Sequence, residues 1–418
     1  MDPQRKEFSN LKEEWNRLGS KYAHEINEMV AFGEKNGWEN WKGKEPKDKR
    51  EHLANEVIEL LKIANKIITT TEFRTDFPPS HCPFIKFFKE KGQSIELLEF
   101  IDNQKIVFVT GASYEKRQAY FLDNDKILAL DSSIDAVGKS KQNNVFAIAS
   151  SNKITTTQGW GGEIIATFNL VETKDFGITK MIPFNDGLKV LLVTSEGIYI
   201  ISNNCEKMIH PEADLDDEEW DANIYMENAT LSNDNQFIIV GDQDCAHRVL
   251  DTTGNETGYI GQQSSYPHFC LFAKDDSQLI TNSCHFYNGI TIGVSAENLN
   301  GIAIPEYEES SLYTIIEDGM RVYSGVATTE YYILGEAYGY IRAIDKNGKQ
   351  LWYHFLGSTI TGMTLSDDEK TLWIGCSSGI LHKLQLEQGL RDNHTIGNGN
   401  HFEEFRLLLW KEEPILKW

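Results

Sequence analysis

Residues 231–254 read LSNDNQFIIVGDQDCAHRVLDTTG, and residues 365–389 read LSDDEKTLWIGCSSGILHKLQLEQG. Both run Leu-Ser, a short acidic turn, an apolar run ending in glycine, a second turn and another apolar run. FAKDDSQLITNSCHFYNGITIGV (272–294) and FNDGLKVLLVTSEGIYIIS (184–202) follow the same plan. Short apolar and β-branched runs bounded by Gly, Asn, Asp and Ser clusters are the mark of strands joined by tight turns. The pattern holds from about residue 95 to 390, and no long helical stretch interrupts it. Self-similarity at a spacing of about 35–50 residues makes each unit one small sheet that cannot cover its own faces, so neighbours must stack.

Seven units mark off at 97–138, 139–172, 177–211, 223–261, 265–300, 311–357 and 358–390. Radial stacking covers the faces of such sheets and leaves only short edges. The expected fold is therefore an all-β main domain over 95–390, a β-propeller of seven four-stranded blades. Residues 1–75 differ. Phe8, Leu11, Trp15, Leu18, Tyr22, Ile26 and Met29 recur at helical spacing. After a glycine-rich break, Leu53, Val57, Leu60, Leu61, Ala64, Ile67 and Ile68 do so again. This predicts an N-terminal α-helical hairpin with one apolar face per helix. Residues 76–94 read as a linker with a short helix around Phe84 to Lys91. The tail 391–418 carries Leu407, Leu408, Leu409, Trp410, Ile415, Leu416 and Trp418. That apolar density predicts a docked tail, either as a closing strand or against the helices.

YGYIRAIDKNGKQLWYHFLG (338–357) resembles the blade motif of pyrroloquinoline-quinone-type repeats, with Ala343, Asp345, Gly348, Lys349 and Trp352 in matching places. The Leu-Ser-Asp-Asp units resemble WD-repeat blades, although the Gly-His and Trp-Asp pair of that family is missing from most of them. The span 95–390 is similar to cytoplasmic bacterial propellers without assigned chemistry. Quinoproteins of the first kind hold their cofactor with calcium in the central channel and carry tryptophan-rich motifs in most blades. This chain has one good motif, so the resemblance implies architecture and no cofactor.

The 418 residues include 40 Lys and Arg against 63 Asp and Glu, a net charge of −23. Such a surface argues against nucleic acid and against an anionic membrane as partners. No apolar run reaches the roughly 18 residues of a membrane span, and the N-terminus has no apolar leader. Six cysteines without CxxC spacing fit a reduced cytoplasmic protein. The acidic balance suits a protein-interaction scaffold for a basic protein partner, for example a toxin or nuclease that it would neutralise.

Loops that join the second and third strands of a blade share a rim with the loops between blades. Asp242, Gln243, Asp244, Tyr266, His268, His285, Phe286, Tyr287, Glu336 and Tyr338 fall on or near that rim over units four to six. They are the expected partner-binding residues, since aromatic and polar loop residues on a rigid frame make recognition surfaces. Glu212, Asp214, Asp216, Asp217, Glu218, Glu219 and Asp221, and separately Glu306, Glu308 and Glu309, place acid on the same rim. The rival expectation is a hydrolase or lyase at the channel mouth with His247, His268 or His285 as general base. Three Cys/His pairs (Cys245/His247, His268/Cys270, Cys284/His285) invite a metal reading, but they match no zinc spacing, and no metal is expected. GCSSG (375–379) fits the nucleophile-elbow pattern around Ser377, yet a strand rather than a helix follows, so a hairpin turn is expected.

Overall fold

The computed structural model describes residues 3–170, 177–203, 205–212, 224–389 and 391–418. Seven sheets follow one another along the chain, each with its strands in sequence order and antiparallel except for one short added pair. Successive blades span 95–129, 134–169, 178–210, 228–260, 266–318, 322–355 and 360–417. The first strand of each blade touches the first strand of the next, and Ile360–Leu365 of blade seven touches Ile95–Asp102 of blade one, closing a ring. The molecule is a seven-bladed β-propeller with N-terminal helices.

The second strands explain the unbroken apolar runs of the sequence. KIVFVT, KVLLVT and TLWIGC are buried along nearly their whole length, because blades cover them on both faces. Outer strands alternate instead: IIATFN buries only Ala166 and Phe168. The Leu-Ser-Asn/Asp-Asp motif is the turn between the first two strands. Ser232 Oγ accepts from the Gln236 and Phe237 amides (2.9 and 3.0 Å), and Ser366 Oγ accepts from the Thr371 amide at 2.9 Å. Asn235, Asp276 and Glu369 occupy the left-handed position of equivalent turns, with φ of 60°, 56° and 59°. Side-chain bonds that satisfy the turn backbone are why these residue types recur.

The glycine ending the second strand has a separate cause. A Cβ on Gly335 would lie 2.5 Å from Ile360, and one on Gly375 would lie 2.4 Å from the Ile95 carbonyl oxygen. The glycine lets the inner strand of the following blade approach. In six of the seven blades the inner strand also carries a register shift against its neighbour. Such bulges add twist and turn one side chain away from the pleat.

Three features depart from the sequence reading. Tyr313–Asp318 is the outer strand of blade five, not part of unit six, because 296–312 makes a detour in which Ala303–Ile304 pairs parallel to Glu256–Ile260 of blade four. Ile134–Lys139 opens blade two rather than closing blade one. Sheet structure also runs past residue 390, since Phe402–Leu408 is the fourth strand of blade seven and Leu416–Lys417 adds a fifth.

The N-terminal chain forms a 34-residue helix, Pro3–Asn36, and a second helix, Ala54–Ile67, followed by Thr70–Asp76 and Ile85–Lys91. Trp15, Val57, Leu61, Phe77 and Phe84 pack with Leu408, Trp410 and Trp418 in one core that joins helices and blade seven. The tail thus does both things expected of it, closing a blade and gripping the helices. Farther along the long helix, Ala23, Ile26 and Val30 lie on Tyr353 of blade six. Ile67 and Ile68, which helical spacing places on the apolar face, are 63 % and 89 % exposed, because the second helix ends there and Ile68 turns left-handed.

Gly375→Ala is expected to cost about 1–3 kcal/mol by forcing blade seven from blade one. Urea unfolding measures it, and a loss near zero would show that the glycine does not set the approach.

Candidate functional site

The loops named in the sequence reading lie between the strands expected of them. Residues 242–246, 286–287 and 337–339 join second to third strands, and 261–265 and 319–321 join successive blades. What occupies that rim is only partly the predicted set. Asp244, His285, Phe286, Tyr287 and Tyr338 are exposed; Gln243, Tyr266 and His268 are half-buried; Asp242 and Glu336 are buried.

The exposed members cluster over blades five and six. Phe286 and Tyr287 form the tip of the hairpin closed by His285 and Asn288. Phe286 is 73 % exposed, and its backbone sits at φ 55°, a conformation that costs a non-glycine residue about 1–2 kcal/mol. The Tyr287 ring lies 5.2 Å from the Tyr338 ring of blade six, and His285 lies 4.5 Å from Phe286. Beneath them runs Arg321, which sequence reasoning overlooked because a lone arginine in a turn carries no pattern. Its Nη1 donates to the Phe286 carbonyl at 2.9 Å, its backbone amide to the Tyr287 carbonyl at 3.2 Å, and its Nη2 to His268 Nε2 at 3.0 Å. The guanidinium also lies 4.7 Å from the Tyr323 ring. One cation thereby fixes the hairpin tip of blade five to blade six.

His268 is the bulged residue of its inner strand, so it does not share a face with Cys270 as simple alternation would require. Its Nε2 accepts from Arg321, which leaves Nδ1–H to donate to the Val322 carbonyl at 2.6 Å. Burial, with Arg321 adding to it, brings its pKa down to about 4. His247 is buried with Nε2 bonded to Asn228 Oδ1 at 3.0 Å, and burial brings it to about 3. His285 alone of the three is exposed. The three imidazoles therefore do not present one shared base.

The Cys/His pairs resolve differently from their sequence spacing. Cys245 lies with His210 and Asp242, their ligand-type atoms all within 4.8 Å, while His247 faces Asn228. Arg248 Nη1 lies 3.4 Å from His210 Nδ1 and can only donate, so Nε2–H points to Asp242 Oδ2 at 3.3 Å. Burial works to raise the Asp242 carboxyl, and bonds from His210 and Cys245 outweigh it and hold it below the ordinary value. Burial pushes the Cys245 thiol well up, which suits a structural thiol better than a nucleophile. Asp242 thus joins blades three and four and is withdrawn from the rim. Glu336 is likewise turned inward, 3.5 Å from Arg342.

Of the acidic segments, residues 214–221 lie outside the described residues. Glu306, Glu308 and Glu309 are described and exposed, and the Tyr307 amide donates to the Gln262 carbonyl at 3.0 Å, which sets them beside the loop between blades four and five. Ser377 lies in a hairpin turn between two strands, its hydroxyl 2.8 Å from Ser358 Oγ.

The opposite mouth of the channel holds a cavity of about 220 Å³ lined by Glu99, Lys139, Lys141 and Lys180. Desolvation raises the Glu99 carboxyl to about 7, and desolvation together with Lys141 lowers Lys180 to about 8. Two of the lysines stitch inner strands: Lys139 Nζ donates to the Phe100 carbonyl (2.8 Å) and Lys180 Nζ to the Ala229 carbonyl (2.9 Å). Among the described residues no helix is long and apolar enough to cross a membrane.

His268 carries a pH signature. Its unfolded pKa is near 6.5 and its folded value about 4, so between these the unfolded chain binds a proton that the folded one does not. The contribution is complete above pH 6.5 and falls as pH drops toward 4. His268→Asn is expected to flatten the fall of unfolding free energy over that window by up to about 1.4 kcal/mol per pH unit. Urea titrations at a series of pH values measure this, and an unchanged slope would contradict the assignment.

No family model matches the chain, and no curated protein matches it. Among solved structures, the computationally designed Ika8 protein aligns at TM-score 0.45 and 14 % identity, over 70 % of this chain and 96 % of that one. The hydrazine synthase of Kuenenia stuttgartiensis aligns at TM-score 0.42 and 11 % identity, over 60 % of this chain and 76 % of that one.

Proposed function

We propose that the chain is a protein-interaction platform and that its contact surface is the aromatic rim over blades five and six. The observation that carries this reading is the cluster of Phe286, Tyr287 and Tyr338, which are 73 %, 56 % and 55 % exposed on two adjacent blade tips. Large aromatics in the open are costly to keep in a soluble protein and are the usual anchors of interfaces. Phe286 keeps a strained backbone that asparagine or glycine would relieve, so folding alone does not favour its presence. Arg321 holds the anchors in place before contact, which lowers the ordering cost of association. Exposed Asp244, Glu306, Glu308 and Glu309 flank the aromatics, and with the net charge of −23 they favour a basic partner and steer its approach.

A second reading places a hydrolase or lyase site at the opposite channel mouth, where Glu99 near 7 and Lys180 near 8 line one cavity and both change charge close to neutral pH. Turnover of a small molecule that disappears in Glu99→Gln would support it, and turnover that survives this change would remove it.

The platform reading is tested with Phe286→Asn. Asparagine tolerates the left-handed conformation, so the variant is expected to match the wild type in unfolding free energy or exceed it by up to about 1 kcal/mol. It is also expected to lose a stoichiometric basic partner that the wild type captures at low salt and releases at high salt. Equal capture by both proteins, or no salt-sensitive partner for the wild type, would overturn the reading.

A further inference from the structure

A second cavity, of about 70 Å³, lies where the N-terminal helices meet blades six and seven. That is several times the roughly 10–15 Å³ one water needs. Its walls come from both sides of the seam: Arg50, Ser80 and His81 from the helical segment, and His354, His394 and Arg406 from the blades and the loop after them.

The walls are rich in donors that the protein does not use. Arg50 and Arg406 are 2 % and 7 % exposed, and the Nη1 of each has no hydrogen-bond partner among the described residues. Their other nitrogens are committed. Arg50 binds Asp48 through Nε and Nη2 (3.0 and 2.7 Å), and Arg406 binds Glu403 through Nε and Nη2 (both 2.9 Å). The Nδ1 atoms of His81, His354 and His394 are unpartnered as well. Five buried nitrogens without a partner gather around one cavity, where a few per hundred residues is the norm. On the long helix beside it, a Cβ on Gly19 would meet Arg50 Nη1 and, at 2.8 Å, His394 Nδ1, so only glycine leaves room for these two atoms.

The donor set selects the ligand. A guanidinium can donate and cannot coordinate a metal, and the wall carboxylates are already committed, Glu403 to Arg406, Arg74 and His382, and Asp392 to its own turn. The imidazoles can take either tautomer and so can add further donors. An acceptor-rich anion of cavity size satisfies all of these groups at once.

We infer that this cavity binds one small oxyanion of the phosphate class, held by Arg50 and Arg406 with help from His81, His354 and His394. The anion bonds to the helical segment and to the propeller together, and so clamps one onto the other. Whatever binds only the folded state stabilises it by mass action. The clamp is separate from the aromatic rim and stands or falls without it.

The test is isothermal titration of the full chain with inorganic phosphate below about 5 mM at constant ionic strength balanced with chloride, where general salting effects are small. The expected result is one saturable site per chain that sulfate competes for, with a matching rise in melting temperature. Arg406→Gln should abolish it. Because that change removes two of the bonds to buried Glu403 and can destabilise the chain, His394→Ala serves as the second variant, its ring lying in a half-exposed loop. It should bind phosphate about tenfold more weakly while its phosphate-free melting temperature stays near that of the wild type. No saturable heat in the wild type would show a water-filled cavity and overturn the proposal. A response to divalent cations but not to phosphate would overturn it too, as would equal affinity in wild type and His394→Ala.

Discussion

The ring stands on one seam, the contact between blade seven and blade one. No strand is shared across it. Closure comes from side-chain packing: Ile95, Leu98 and Phe100 of the first inner strand lie against Trp373, Leu381 and Phe405 of the last blade. The Phe100 and Trp373 rings are 5.6 Å apart, the Thr361 hydroxyl donates to the Ile95 carbonyl at 2.8 Å, and the Phe100 amide donates to Thr364 Oγ1 at 2.9 Å. Apolar packing of this kind depends on area and fit, so it tolerates no slack at the join. The C-terminal segment supplies the needed bulk. Phe402–Leu408 completes blade seven, and Trp418 then buries itself against Trp15, Phe73 and Phe84, with its indole donating to the Phe77 carbonyl at 2.8 Å. The helices are therefore a brace across the blade that closes the ring.

A closed ring makes two unlike rims. On one side the turns of neighbouring blades bond directly to each other. Asn235 Oδ1 accepts from the Asn185 amide (2.6 Å), Asp276 accepts from the Asn233 and Asp234 amides (2.8 and 2.9 Å), and Glu369 accepts from the Thr329 amide (3.0 Å). The acidic turn residues of the repeat are spent on that belt. The other rim has no such belt in its chemistry over blades five and six. There Arg321 does the joining from below, and the aromatic tips are left facing outward. Rigidity on one face and exposed anchors on the other are what a docking surface requires.

Much of this was legible in the sequence because the repeat is written in turn chemistry. Ser232 and Ser366 hold their turns in the same way, so the blades look alike even where their strands do not. The terminal glycines were visible too, although their reason, the approach of the next blade, is a contact between units. The failures share a cause. Asp242 and Glu336 read as rim residues because loop position is visible in sequence, whereas a partner from another strand is not; His210 and Arg342 draw their side chains inward. His268 and Cys270, two apart in the sequence, would share a face in a regular strand, and a bulge breaks that. The outer strand of blade five fell into the wrong unit because it is reached only after a detour, and no period survives an insertion. Arg321, the residue that organises the rim, left no trace in any pattern.

The account holds that the ring, its closing strand and its brace unfold as one body. Native-state hydrogen exchange measures this directly. Protection at Phe402–Leu408 is predicted to equal that at Ile95–Asp102, both opening only with global unfolding. Early exchange at 402–408 while the inner strands stay protected would mean that the last blade opens by itself, and it would contradict the closed, static frame on which the rest depends.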